Sequence, residues 1–265
     1  PGKEKAILDM GGDPTVVRYA PYIDEYLEIG KKLKSRIADV SREINIAILE
    51  EKSVLAEGAQ GAFLDVIHGT QKFVTSSFTI AGSACANLGV GPVMVDNVVG
   101  VIKAYITRVG EGPMPTELVD SLGEQMREKG GEYGTTTGRA RRCGWFDAVL
   151  GLKSVYLNSY TEMALTKLDV LTGINPIKIC VGYDLDGDTL GYPPESTTDL
   201  ARCKPIYEEV PGWTEDITEV KDYDDLPENA RDYVEKLEDL LGVEISAVSV
   251  GPGREQTIFR DMEEE

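Results

Sequence analysis

The segment Gly134-Thr135-Thr136-Thr137-Gly138-Arg139-Ala140-Arg141-Arg142 places three guanidinium groups within four positions. Guanidinium groups grip carboxylate or phosphate through paired N–H donors. The threonines add hydroxyls, and the flanking glycines let the backbone approach a ligand closely. The chain carries 27 basic and 46 acidic side chains, a net charge of −19, so such a cluster is conspicuous. It reads as an anion-binding loop or as a basic surface loop pairing with acidic neighbours, and local composition leaves both open.

Thr166-Lys167-Leu168-Asp169 falls at the end of a predicted strand. A carboxylate there can accept from guanine N1–H and its exocyclic amine, a donor pair that adenine lacks. A lysine stem can lie over the purine face. Taken alone, the four residues also fit an incidental strand end. Glu57-Gly58-Ala59-Gln60-Gly61, followed by Val74-Thr75-Ser76-Ser77, is a third candidate. Glycines ending a buried strand mark the ligand-facing rim of many α/β sheets, where Gln60 could donate to a carbonyl and Thr75 could bind phosphate. A plain glycine turn followed by a helix cap fits the same residues. Ser249-Val250-Gly251-Pro252-Gly253 could set a hydroxyl and backbone donors beside a base, or merely stop a strand. His68 is the only histidine and reads as a packed side chain. Cys143, beside Arg142, could have a lowered pKa, but no second cysteine or histidine completes a nucleophilic arrangement. Trp145 and Trp213 read as packing anchors.

The elements that must position these residues follow from periodicity. Over residues 22–52, Ile23, Leu27, Leu33, Ile37, Val40, Ile44 and Ile48 recur at helical spacing, with a possible break at Gly30. Residues 53–56 read as a short buried strand and the β-branched run 98–109 as another. Residues 117–129 read as a helix closed by Gly130 and Gly131. A helix is expected over 146–157, and strands over 164–168 and 177–183, the latter turning at Asp186-Gly187-Asp188. An acidic amphipathic helix is expected over 227–241, with Pro227 at its start and Gly242 after it, then a strand over 244–250. Residues 214–239 hold eleven acids against three bases, the composition of a solvated face. Strands alternating with helices predict an α/β fold with a predominantly parallel central sheet flanked by helices.

Composition narrows the partners. The 265 residues allow one large or two modest domains. Strong negative charge argues against nucleic acid, whose phosphates are met by Lys and Arg. No apolar run approaches the ~20 residues of a membrane span, and no signal-peptide pattern opens the sequence. Cys85, Cys143, Cys180 and Cys203 form no C-x-x-C pair, so a reducing cytoplasm is expected.

In combination and in order, these segments resemble adenylosuccinate synthetase. The likeness is carried by residues 57–61, 73–77, 107–117, 134–145, 165–171, 211–213 and 251–252. The resemblance implies a P-loop-NTPase-like α/β fold, residues 1–265 forming roughly its carboxyl-terminal three-fifths. It implies a ligase of purine biosynthesis that joins IMP and L-aspartate, with GTP as substrate and Mg2+ as cofactor, through a 6-phosphoryl-IMP intermediate. Gln60, Leu64, Thr75, Val109 and Arg139 would contact IMP, with Gln60 supporting catalysis. Thr135, Thr136, Thr137, Gly138, Arg139, Ala140 and Arg141 would form the loop closing on aspartate. Arg141, Lys167, Leu168, Asp169, Ser249, Val250 and Gly251 would hold GTP. The resemblance further implies a homodimer.

Ala140, Phe78 and Ile80 depart from the polar residues usual in relatives and alter the expected pocket polarity. The family's glycine- and lysine-rich phosphate loop, with its catalytic acid, histidine and magnesium contacts, has no counterpart between Pro1 and Glu265. No metal ligand is therefore expected here, and the chain alone is expected to have little ligase activity. The alternative is a noncatalytic guanine-nucleotide and IMP-binding module or fragment.

Overall fold

Short polar side chains set where the helices begin. Asp39 accepts from Arg42 N, Asp120 from Leu122 N and Gly123 N, Asp147 from Leu150 N, and Ser196 from Asp199 N. Each satisfies amides that the first helical turn leaves without an intrahelical acceptor. The structure, a computed structural model, describes residues 2–17, 20–134 and 138–260. In chain order its elements are α1 (Gly2–Asp9), α2 (Ala20–Leu33), α3 (Val40–Leu49), α4 (Gly82–Leu88), β1 (Val99–Lys103), β2 (Ile106–Arg108), α5 (Ser121–Gly130), β3 (Arg142–Gly144) and β4 (Phe146–Asp147). There follow α6 (Ala148–Asn158), β5 (Glu162–Thr166), β6 (Ile177–Leu185), β7 (Asp188–Leu190), α7 (Thr197–Leu200), β8 (Lys204–Val210), α8 (Glu228–Leu241), β9 (Ile245–Ser249) and β10 (Thr257–Phe259).

Two units divide the chain, Pro1–Leu55 with Leu88–Val90, and Ala56–Asn87 with Gly91–Glu265. The first is helical. The stripe expected on one helix over 22–52 is shared by α2 and α3, and the chain breaks not at Gly30 but at residues 37–39, where Asp39 caps the new helix. Ile23, Leu27 and Val40 of that stripe are exposed. Within this unit Ser41 Oγ and Asn45 Nδ2 both donate to Gly89 O, at 3.1 and 2.9 Å.

The second unit holds the sheets. The main one runs β1-β5-β9-β10, its first three strands parallel and β10 antiparallel. Lys103 pairs with Thr166 and Leu165 with Val248, so the carboxyl ends of β1, β5 and β9 share one edge. A second sheet centres on β6, parallel to β4 and antiparallel to β7 and β8, and β2 pairs antiparallel with β3. The α/β class holds, with mixed sheets whose parallel part carries the rim described below.

Helix α8 supplies Ala230, Tyr233, Val234, Leu237 and Leu241 to the core at helical spacing. Gly242 ends it in the left-handed conformation, φ 65°, as the sequence predicts. Its acids face outward: of the eleven in residues 214–239 all but Glu238 are exposed. Trp145 and Trp213 lie in the main core with Tyr105, Met126, Leu165 and Ile179.

Several expectations change. Residues 53–56 form no strand; they are exposed, Leu55 by 93%, and pair with no strand among the described residues. The run 98–109 divides at Ala104-Tyr105 into β1 and β2, which join different sheets. The helix expected from 117 starts at Ser121, after its Asp120 cap, and that expected from 146 starts at Ala148, because Phe146 and Asp147 pair with Ile179 and Cys180. The strand expected over 164–168 ends at Thr166, where Lys167 turns left-handed. No described helix is long and apolar enough to cross a membrane.

Candidate functional site

Three parallel strands deliver their last residues to one edge, the side on which open α/β sheets bind ligands. Lys103 ends β1, Thr166 ends β5 and Ser249 ends β9. After β5, Lys167 adopts φ 66° and starts the 3-10 turn Leu168–Leu171, in which Leu168 is buried and Asp169 half-buried. Lys167 Nζ donates to Gly130 O at 2.7 Å, fastening this turn to the end of α5. Asp169 Oδ1 is buried and has no hydrogen-bond partner. Burial pushes the Asp169 carboxyl above the ordinary carboxylate range, opposed by its own amide and by Lys167 and Lys129.

Beside it, Ser249 Oγ donates to Gly251 O at 2.8 Å, and Val250 N to Gln256 O at 2.8 Å. A Cβ at 251 would meet the Gln256 amide at 2.4 Å, so a larger residue there would displace that side chain. Gln256 Nε2 is itself held by Thr218 O at 2.9 Å, so this turn is fixed from behind.

A buried ionic cluster adjoins the rim. Glu132 is 1% exposed, and its carboxylate accepts from Lys103 Nζ at 2.8 and 2.9 Å, Tyr105 Oη at 2.7 Å and Arg141 Nη1 at 2.8 Å. Burial alone would raise the Glu132 carboxyl, but Lys103, Tyr105 and Arg141 hold it below the usual range. The same burial pulls Lys103 down against the attraction of Glu132. Gly130 makes the geometry possible, because a Cβ there would lie 2.2 Å from Tyr105 Oη.

From this cluster, hydrogen bonds run to the segment expected to meet IMP. Lys103 Nζ donates to Thr107 Oγ1 at 2.9 Å, and Arg108 pairs with Arg142 across β2 and β3. The Arg108 guanidinium donates to Thr70 Oγ1, Phe73 O and Glu111 O at 2.8–2.9 Å. Thr75 N donates to Leu64 O at 2.8 Å. Asp65, fully buried, accepts from Ile67 N, His68 N and Thr79 N, and burial is outweighed by these amides, which lower its pKa. One carboxylate thus fixes the path of residues 65–79.

The structure therefore joins Lys167, Leu168, Asp169, Ser249, Val250, Gly251 and Arg141 along one edge, and links Val109, Leu64 and Thr75 to it through Arg108. Gln60 is exposed with φ 66°, one residue before Gly61, whose carbonyl accepts from Thr79 Oγ1. Gly138 has φ 63°, Arg139 O accepts from Gly134 N at 2.8 Å, and Ala140 bridges to Tyr133. Thr135, Thr136 and Thr137 lie outside the described residues. The third arginine of the cluster is structural: Arg142 clasps Glu117 and donates to Gly112 O at 2.8 Å. The lowered pKa entertained for Cys143 is overturned, since the thiol is fully buried and burial pushes it up.

Glu132, Lys103, Tyr105, Arg108 and Asp65 were not singled out from sequence. Lys103 had a signal, as a charge inside a β-branched run. Glu132 had a weaker one, as an acid just before the arginine-rich segment. Among the described residues no three His, Cys, Asp or Glu side chains converge on a possible metal position.

Fold and site together define an α/β protein with a polar rim and an ionic cluster at the carboxyl edge of its parallel strands. The family model for adenylosuccinate synthetase matches residues 3–258. The chain is 72% identical over 261 residues to adenylosuccinate synthetase of Methanothrix thermoacetophila, covering 98% of this chain and 62% of that protein. It is 63% identical, with the same coverage, to that of Methanosarcina barkeri. Its structure matches fully ligated adenylosuccinate synthetase from Plasmodium falciparum with a TM-score of 0.89 and 39% identity, over 97% of this chain and 61% of that one. The chain belongs to the adenylosuccinate synthetase family. It spans about three-fifths of the length of these relatives.

Proposed function

We propose that these residues form the guanine-reading rim and parts of the IMP and aspartate sites of a GTP-dependent ligase that makes adenylosuccinate from IMP and L-aspartate. In the reaction, the IMP base gives up its N1 proton as O6 attacks the γ-phosphorus of GTP and GDP leaves. The aspartate amine then attacks C6, inorganic phosphate departs with the oxygen, and the amine gives up a proton. Magnesium, when bound with GTP, supplies charge neutralisation at the phosphates; its ligands are not assigned to these residues.

The observation that carries the reading is the unpartnered, buried Oδ1 of Asp169. A buried acceptor left unmet costs about 1–3 kcal/mol, a cost that guanine N1–H and its amine would remove. Lys167, Leu168, Ser249, Val250 and Gly251 frame the base, and Arg141 lies toward the phosphates. Val109, Leu64, Thr75, Arg139 and Gln60 are assigned to IMP. Gly138, Arg139, Ala140 and Arg141, with Thr135, Thr136 and Thr137, are assigned to aspartate. Catalysis on this reading is positioning and preorganised charge. A homodimer in the cytoplasm is part of the same proposal.

The test is turnover by the intact protein with IMP, aspartate and either GTP or ATP, following adenylosuccinate and nucleoside diphosphate. Product with GTP and little with ATP is expected. No product with GTP, or equal use of ATP, would sink the reading.

A further inference from the structure

Glu132 belongs to none of the ligand assignments above, yet it organises the centre of the network. The acid is the inner layer. Its partners Lys103 and Arg141 form the outer layer, with side chains 27% and 29% exposed. The main chain reinforces the arrangement: Arg141 N donates to Glu132 O at 2.9 Å, and Arg127 Nε to Arg141 O at 2.9 Å. Tyr105 Oη holds Oε1, Arg141 Nη1 holds Oε2 and Lys103 Nζ spans both, so the carboxylate oxygens have one orientation. Two cations and one anion leave a formal charge of +1 on an edge that also carries Lys167.

We propose that Glu132, braced by Lys103 and Tyr105, is a positioning residue for the ligase: it aims the Arg141 guanidinium at an anionic oxygen of the substrates. The proposal rests on the ligase reading above. A guanidinium held at one end by a fixed carboxylate keeps its remaining donors in a plane suited to phosphate or carboxylate. Without that acceptor the side chain regains its rotamers, and each turnover must order it again. Lys103 and Arg141 would then repel one another with no intervening negative charge. Two sources of the anion are distinguishable, the phosphates of GTP and the carboxylates of aspartate, because each has its own KM.

The experiment is a double-mutant cycle in the intact protein, with E132Q, R141A and the pair, reading kcat/KM for GTP and for aspartate separately. E132Q keeps the side chain's volume and its acceptor oxygen. Misplacing one clamp costs on the order of tenfold to a hundredfold, so E132Q should lower one of the two values by that much. In the R141A background the same change should cost no more than about twofold, because the groups act as one unit. The substrate whose value falls identifies the anion. Should E132Q fail to fold, Tyr105→Phe carries the cycle, removing one brace and causing a smaller loss that also vanishes with R141A. Equal factors in both backgrounds, or no loss from E132Q, would overturn the proposal while leaving ligase turnover by the wild type intact. Absence of wild-type turnover would overturn the ligase reading, and this proposal with it.

Discussion

Glu132 and Asp169 stand on the same sheet edge, and the fold treats them oppositely. Glu132 is deeply buried and saturated: lysine, tyrosine and arginine all donate to it, and its charge is stabilised despite desolvation. Asp169 is less buried and starved, with one oxygen that meets nothing and a carboxyl pushed upward by burial. A carboxylate that the fold has satisfied supports the fold. One that it leaves unsatisfied lowers the stability of the fold. On the readings proposed above, the first carboxylate positions the site and the second reads the base.

Breaking the saturated partner should have the largest effect. Glu132→Ala leaves Lys103 and Arg141 without their buried counter-charge and should cost about 3–5 kcal/mol in denaturant unfolding. A loss below 1 kcal/mol would mean that Glu132 contributes no more than a surface acid.

Asp147 extends the comparison to the second sheet. It is fully buried, caps α6, accepts from Tyr183 Oη at 2.6 Å, and burial raises its pKa to about 6. A carboxyl raised above its unfolded value binds protons more tightly when folded, so it favours the native state at low pH. That contribution is lost as pH rises from about 4 to about 6, amounting to about 3 kcal/mol. Asp147→Asn should flatten this slope in stability measured from pH 4 to 7. An unchanged slope would show that Asp147 does not titrate there. Glu132, being lowered, has the opposite sign: its contribution is present above the unfolded pKa and lost as pH falls.

Asp169→Asn sharpens the contrast. Hydrogen bonds to a charged group contribute about 1.5–3 kcal/mol, so kcat/KM for GTP should fall about tenfold to a hundredfold. The new amide donor suits the 2-oxo group of xanthine, and xanthosine triphosphate should gain relative to GTP. Stability without ligand should be unchanged or higher, the reverse of Glu132→Ala. Equal losses with GTP, ATP and ITP would remove the base-reading role. The smallest effect is expected at Arg202, whose partners Asp186 and Asp199 are exposed. Arg202→Ala should change the unfolding free energy by no more than about 1 kcal/mol; a larger loss would give surface pairs here unusual weight.

Local signals were legible where a few neighbouring residues decide the outcome. Pro227 and Gly242 bound α8, Gly131 closes α5, and the turn at Asp186-Gly187 reverses β6 into β7, all through backbone preferences of those residues. The rim residues Lys167, Asp169, Ser249 and Gly251 were legible because strand ends followed by special turns are short-range patterns. Residues 53–56 were misread for the converse reason: a strand exists only with a partner, and apolar character does not supply one.

Which arginine of the 139–142 cluster serves which purpose was beyond sequence. Arg142 and Glu117 are twenty-five positions apart and meet because residues 116–118 bridge to β3. Lys103 and Glu132, twenty-nine apart, meet because β1 and α5 end at one place. The amino-acid sequence alone settled the class of fold, the helix limits set by caps and the types of group on the rim, since these depend on residues close along the chain. Tertiary structure alone decided which charges are neutralised and which oxygen is left without a donor. Desolvation and pairing depend on what lies within a few ångströms in space, whatever its distance along the sequence.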